Sequence, residues 1–150
     1  MFDGTKQARM LKTFARRFKL EGDVENYDIT IGRKRALYRG SQPSKTFNRK
    51  LNRTFYRWQW KKPLGMKRSC GYVLLHGTSS RKWKVPETIF VIRKKELASQ
   101  LSEFPGQVAG ISLDGSVRVT PNKRTVFYFS PRRKLDAAGF RQWLKRKNLR

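Results

Sequence analysis

The amino-acid sequence predicts an α+β fold: a small antiparallel sheet, N-terminal, middle and C-terminal helices, and a long irregular basic segment. Apolar residues recur at three- and four-residue spacing at both ends of the chain, as they do on one face of a helix. Short alternating runs cluster after residue 70, separated by Gly, Pro and an Asp-Gly pair. From Ile29 to Pro86 there are sixteen Lys or Arg and no Asp or Glu, a density of like charge that repels itself and resists packing. With 150 residues the chain is long enough for one domain with a real core. The expected organisation is a basic N-terminal helix and basic extension over residues 1–69 and a small α+β globular part over 70–150, together one structural unit.

The N-terminal helix is expected from Thr5 to Leu20. Leu11, Phe14, Ala15 and Phe18 share one face, Lys6, Arg9, Lys12, Arg16 and Arg17 surround the rest, and Glu21-Gly22-Asp23 supplies a stop. Basic amphipathic segments of this kind also serve as organelle transit peptides; here the expectation is a helix retained in the protein. YDITI at 27–31 alternates as a short strand before Gly32. Residues 32–45 mix Gly, Ser, Pro and cations without a sustained period and read as an irregular basic arm.

The stretch KTFNRKLNRTFYRWQWKKP at 45–63 sets seven cations among five aromatic residues. Phe47, Leu51, Phe55 and Trp58 follow helical spacing, whereas Tyr56, Trp58 and Trp60 alternate with Arg57, Gln59 and Lys61 as in a strand. The preferred reading is an irregular or helical start passing into a strand at about Phe55, with aromatic rings inward and cations outward.

Downstream, CGYVLL (70–75) and ETIFVI (87–92) read as strands around the polar loop HGTSSRKWKVP. KKELASQLSEF (94–104) reads as a helix ended by Pro105-Gly106. QVAGISLDGSVRVT places Asp114-Gly115 between two alternating runs, a hairpin signal, and RTVFYFS (124–130) adds a strand. A last helix is expected from Leu135 to Lys147, with Asp136 as N-cap, Phe140, Trp143 and Leu144 on its apolar face, and Lys145, Arg146 and Lys147 where the helix dipole favours cations.

Composition narrows the partners. Lys and Arg number 36 against 10 acidic residues, for a net charge of +26, so a polyanion is the expected counterpart. One cysteine, Cys70, excludes an internal disulfide and a multi-cysteine zinc site. No apolar run reaches the roughly 18–20 residues of a membrane-spanning helix. His76 beside Ser79 and Ser80 is the nearest approach to a base and nucleophile, but a sole His in a Gly/Ser loop reads as a surface residue. Phosphate-binding glycine loops and clustered carboxylates are absent, so no enzyme, metal, cofactor or small-molecule substrate is expected.

The positive signal is for RNA. Lys and Arg neutralise phosphates and release counterions, and aromatic rings stack on unpaired bases. The candidate RNA-binding residues are Arg33, Lys34, Arg35, Arg39, Lys45, Arg49, Lys50, Arg53, Arg57, Trp58, Trp60, Lys61, Lys62, Lys67 and Arg68. For Trp58 and Trp60 the alternative, core packing, carries equal weight; for Phe140 and Trp143 core is preferred.

In size, charge, basic extension and short aromatic-rich core the chain resembles ribosomal proteins of the organellar type. More narrowly, GSQPSKTFNRKLNRTFYRWQWKK (40–62) is similar to the Arg-rich aromatic stretch of the large-subunit ribosomal protein family numbered twenty-eight. SVRVTPNKRTVFYFSPRRKLDAAGFRQWL (116–144) is similar to that family's strand and terminal helix. The resemblance implies that Ser44, Asn48, Arg49, Lys50 and Arg53 face RNA. Leu51 stands where that family usually has Thr, the Pro-Asn after the aromatic is missing, and about fifty residues separate the two stretches. The expected function is a structural constituent of a ribosome that binds rRNA beside neighbouring ribosomal proteins, in the mitochondrion first, with a cytoplasmic or other organellar ribosome as the alternative. A DNA-packaging or viral nucleocapsid protein and a small RNA-processing factor are the competing readings.

Overall fold

The computed structural model describes residues 4–60, 70–96, 107–112, 117–120, 127–129 and 133–147, and among these residues two β-sheets are flanked by an N-terminal and a C-terminal helix. The N-terminal helix, Gly4–Phe18, precedes β1 (Glu21–Asp23), β2 (Asp28–Ile31), β3 (Lys34–Ser41), β4 (Ser44–Asn48) and β5 (Arg53–Trp58). Then come β6 (Cys70–Gly77), β7 (Thr88–Arg93), β8 (Gln107–Ser112), β9 (Val117–Thr120), β10 (Phe127–Phe129), β11 (Arg133–Leu135) and the C-terminal helix Ala137–Arg146. One sheet has six strands in the order β1-β2-β3-β6-β7-β11, and the other has five in the order β10-β9-β8-β5-β4. Among the described strands every pairing is antiparallel except β3 with β6. The fold is α+β, with strands from both sides of residue 69 in each sheet.

The three central strands of the larger sheet are covered on both faces, and alternation along them assigns each side chain to a layer. Ala36 and Tyr38 of β3, Leu74 of β6, and Ile89 and Val91 of β7 join Leu11, Phe14, Phe18, Phe140, Trp143 and Leu144 of the two helices in one cluster. Leu37, Val73, Leu75, Phe90 and Ile92, the intervening residues, join Trp58, Trp60 and Ile111 from the other side. Helices therefore close one face and the second sheet closes the other. Each fully buried large apolar side chain contributes roughly 1.5–3 kcal/mol relative to exposure.

The terminal helices follow the expected stripes. Leu11, Phe14, Ala15 and Phe18 are the buried residues of the first. In the last, Asp136 accepts a hydrogen bond from the Gly139 amide at 2.7 Å, satisfying one of the orphan donors of the first turn. The pairing of β8 with β9 places the expected hairpin strands correctly, while the Asp114-Gly115 turn lies outside the described residues. The middle helix is described over residues 94–96 only, and the rest of it lies outside the described residues.

Four expectations are corrected. The irregular basic arm is the strand β3, whose alternation is hidden because Ala36 to Gly40 are buried in unbroken sequence. Glu21-Gly22-Asp23 ends the helix but is itself the edge strand β1. Residues 45–55 hold no helix: Phe47 and Leu51, assigned to one helical face, stand exposed in a β-hairpin. The single small antiparallel sheet is two sheets, one of them mixed.

Candidate nucleic-acid interface

Strands β4 and β5 pair from Ser44↔Arg57 to Asn48↔Arg53, leaving Arg49, Lys50, Leu51 and Asn52 as the connecting turn. The turn is locally determined. Asn48 Oδ1 accepts from the Leu51 amide at 3.1 Å, an Asx-type closure, and Asn52 takes φ 48°, a left-handed conformation that Asn tolerates better than most residues. β4 is the edge of its sheet.

Register separates the residue classes on β5. Tyr56 and Trp58 point toward the core, where Trp58 is fully buried and Tyr56 packs on its margin against Trp83, ring centroids 5.7 Å apart. Arg53, Phe55 and Arg57 lie on the opposite face. The Arg53 guanidinium sits 5.1 Å from the Phe55 ring centroid, a cation–π arrangement that holds the cation away from the backbone. Lys45, Arg49, Lys50 and Arg53 are exposed, and the described ion pairs, Arg17–Glu87, Arg35–Asp28 and His76–Glu87, involve none of them. Phe47 is 56% exposed and Leu51 59%. A hairpin that carries exposed cations at its turn (Arg49, Lys50) and on each face (Lys45 beside Phe47, Arg53 on the other) together with an open aromatic ring is suited to phosphates and an unpaired base.

The other candidate residues fall into three groups. Arg33, Lys34 and Arg35 are exposed at the opposite end of β3 from the hairpin, and Arg35 also reaches Asp28 at 3.8 Å. Arg39, Trp58 and Trp60 are corrected to interior positions. Arg39 is 7% exposed, donates Nη1 to the Tyr38 carbonyl at 2.8 Å and covers the Tyr27 ring. Trp58 and Trp60 bridge the two sheets: Trp58 Nε1 donates to the Thr78 carbonyl at 3.0 Å and Trp60 Nε1 to the Arg39 carbonyl at 3.0 Å. The Trp58 ring lies so close over Gly77 that a Cβ there would overlap it. Neither indole is open to a base. Arg57 is half-buried. Lys61, Lys62, Lys67 and Arg68 lie outside the described residues.

A second polar assembly was not visible in the sequence. His76 is the penultimate residue of β6 rather than a surface loop residue, and it is buried. Its Nδ1 lies 2.6 Å from the Tyr38 hydroxyl, and its Nε2 lies 2.7 Å from Glu87 Oε2. Glu87 also accepts from Arg17 Nη1 at 2.7 Å, and Phe14 lies against the imidazole at 4.9 Å between centroids. Burial pushes the Tyr38 hydroxyl well above its usual range, so it keeps its proton. A Tyr38 hydroxyl donating to Nδ1 leaves Nε2–H to donate to Glu87. Burial raises the Glu87 carboxyl, but the hydrogen bonds from His76 and Arg17 outweigh it and hold the group down at about 2. The chain of contacts ties the N-terminal helix, through Arg17, to β3, β6 and the start of β7. The sequence signal was faint: Glu87 is the first carboxylate after the acid-free stretch, and Arg17 lies seventy residues before it.

Among the described residues, no group of three or more His, Cys, Asp or Glu stands where it could hold a metal ion, and no helix is long and apolar enough to cross a membrane. No family model, curated protein or solved structure matches the chain.

Proposed function

We propose that the chain is a structural RNA-binding protein of a ribosome, the mitochondrial ribosome in the first instance, gripping folded rRNA and packing beside neighbouring ribosomal proteins. The observation that carries this reading is the β4–β5 hairpin: Lys45, Arg49, Lys50 and Arg53 are exposed along it and at its turn, Phe47 is open on the face that carries Lys45, and this stretch of sequence has no carboxylate to neutralise the cations. Cations in that arrangement gain by releasing counterions from phosphates, and the exposed ring offers a sequence-tolerant stacking surface. The hairpin grows out of a rigid two-sheet body, which lowers the ordering cost of binding. A scaffolding role is supported by the use of His76, the sole histidine, as an internal brace.

Sedimentation of the tagged chain tests the reading. It is expected to travel with a ribosomal particle and to leave it only at high salt. Co-sedimentation with bulk DNA or with virions instead overturns the ribosomal assignment in favour of a packaging or nucleocapsid protein, and an RNA cleavage or modification activity lost on His76→Ala overturns the scaffold role.

A further inference from the structure

At the far end of β3 from the hairpin the surface opens into a basin of about 530 Å³ lined by Lys34, Tyr72, Arg93, Lys94, Lys95 and Lys147. The five cations come from four separate places: the start of β3, the end of β7, the residues that follow β7, and the end of the C-terminal helix. Among the described residues its lining has no carboxylate. Packing like charges into a concavity works against folding and focuses a positive potential there, and an anion in the basin relieves both. The volume falls in the range of small-molecule and cofactor sites, about 300–1,000 Å³. Tyr72, held edge-on by Trp143 with centroids 5.3 Å apart, supplies an apolar wall for a ribose or base. Lys34 Nζ is 5.9 Å from the Tyr72 centroid, and the Lys34 side chain lies directly against Gly71, where a Cβ would collide with it. That cation is thus placed by the backbone beneath it.

We propose that this basin is a second RNA-phosphate site, gripping phosphodiester groups of the same RNA that the hairpin holds. The inference rests on the RNA reading given above. Lys34 and Ser41 mark the two ends of β3, so the basin and the root of the hairpin stand roughly 23 Å apart at about 3.3 Å per residue. A folded RNA spanning that distance reaches both, and the cations from residues 93–95 and 147, absent from the basic half of the sequence, join the RNA contact.

The test uses the full chain, a fluorescein-labelled RNA stem-loop and a series of KCl concentrations. The basin variant carries Lys34→Gln, Arg93→Gln and Lys95→Gln, all exposed positions; the hairpin variant carries Lys45→Gln, Arg49→Gln, Lys50→Gln and Arg53→Gln. The basin variant is expected to bind about tenfold or more weakly near physiological salt and to flatten the log–log salt slope by about 2, at roughly 0.7–0.9 per lost phosphate contact. Its thermal melting should equal or exceed that of the wild type, since like-charge repulsion in the basin falls. Ultraviolet crosslinking of the wild-type complex, which does not depend on a variant folding, should leave a nucleotide adduct on Tyr72. A basin variant with the wild-type slope, while the hairpin variant loses its own, overturns the second site and leaves the RNA reading standing; adducts confined to the hairpin do the same. A wild-type chain that binds no RNA even at low salt overturns both. Pyrophosphate that binds the wild type but not the basin variant, with RNA binding unchanged, assigns the basin to a small phosphorylated ligand and overturns it as an RNA contact.

Discussion

Strands β4 and β5 come from one hairpin and draw on one residue vocabulary, cations interleaved with aromatic rings, yet their rings end in opposite surroundings. Trp58 of β5 is fully buried, whereas Phe47 of β4 is 56% exposed. The difference is position in the sheet. β5 lies between β4 and β8 with the larger sheet beneath it, so a ring on its inner face meets Phe90 and Gly77. β4 is an edge strand, and among the described residues no second layer covers its ring. Charge divides the same way: Glu87 is ion-paired with Arg17 and hydrogen-bonded to His76, while the hairpin cations Lys45, Arg49, Lys50 and Arg53 are exposed. Composition therefore announces a basic, aromatic surface, and topology decides which rings remain available to a ligand.

Removing the buried member of the pair should have the largest effect. Trp58→Ala is expected to cost about 3–5 kcal/mol of stability by chemical denaturation, through the cavity it leaves; a loss below about 1 kcal/mol accompanied by weaker RNA binding would mean that the ring serves the ligand after all. Next is the interior charge. The folded value of Glu87, about 2, lies below its ordinary 4.5, so its contribution is fully present above pH 4.5 and fades as pH falls toward 2. Glu87→Gln should lower stability at neutral pH by about 1–3 kcal/mol, discounted for partial exposure, and flatten the acid limb between those two pH values. An acid limb unchanged from the wild type would show that another group sets it. The exposed ring should behave inversely to Trp58: Phe47→Ala is expected to leave stability within about 0.5 kcal/mol and to weaken RNA binding by about 1–3 kcal/mol. Equal affinity for the two proteins would remove base stacking from the hairpin. Smallest of all, Leu51→Ser should change the melting temperature hardly at all, a stability shift within about 0.5 kcal/mol, and a larger fall would show that the turn packs against something.

Much of the architecture was legible. The stripes of both terminal helices, the Asp136 cap and the strands at 70–77 and 88–93 follow from local periodicity that survives because each element has a distinct apolar pattern. β3 was not legible: Ala36-Leu37-Tyr38 has neither period because both of its faces are covered, and Arg39 is interior despite its charge. At the site, the alternation of Tyr56 and Trp58 with Arg57 gave the two faces of β5, but not that Trp58 and Trp60 are wholly interior and closed to a base. The exposure of Phe47 was missed because Phe47, Leu51, Phe55 and Trp58 imitate a helical face by coincidence of spacing. The basin was out of reach, since Lys34, Arg93 and Lys147 become neighbours only through the pairing of β3 with β6 and β7 and the docking of the last helix.

That parallel pairing of β3 with β6 has a consequence for the growing chain. A parallel pair needs a long connection, and here the connection is residues 42–69, within which the entire β4–β5 hairpin lies. During synthesis β3 is finished well before β6 emerges, and in that interval Ala36, Leu37 and Tyr38 line an unpaired margin open to pairing with other chains. Arg33, Lys34 and Arg35 at its start, repelling a second copy of themselves, are the kind of guard that keeps such a margin from aggregating.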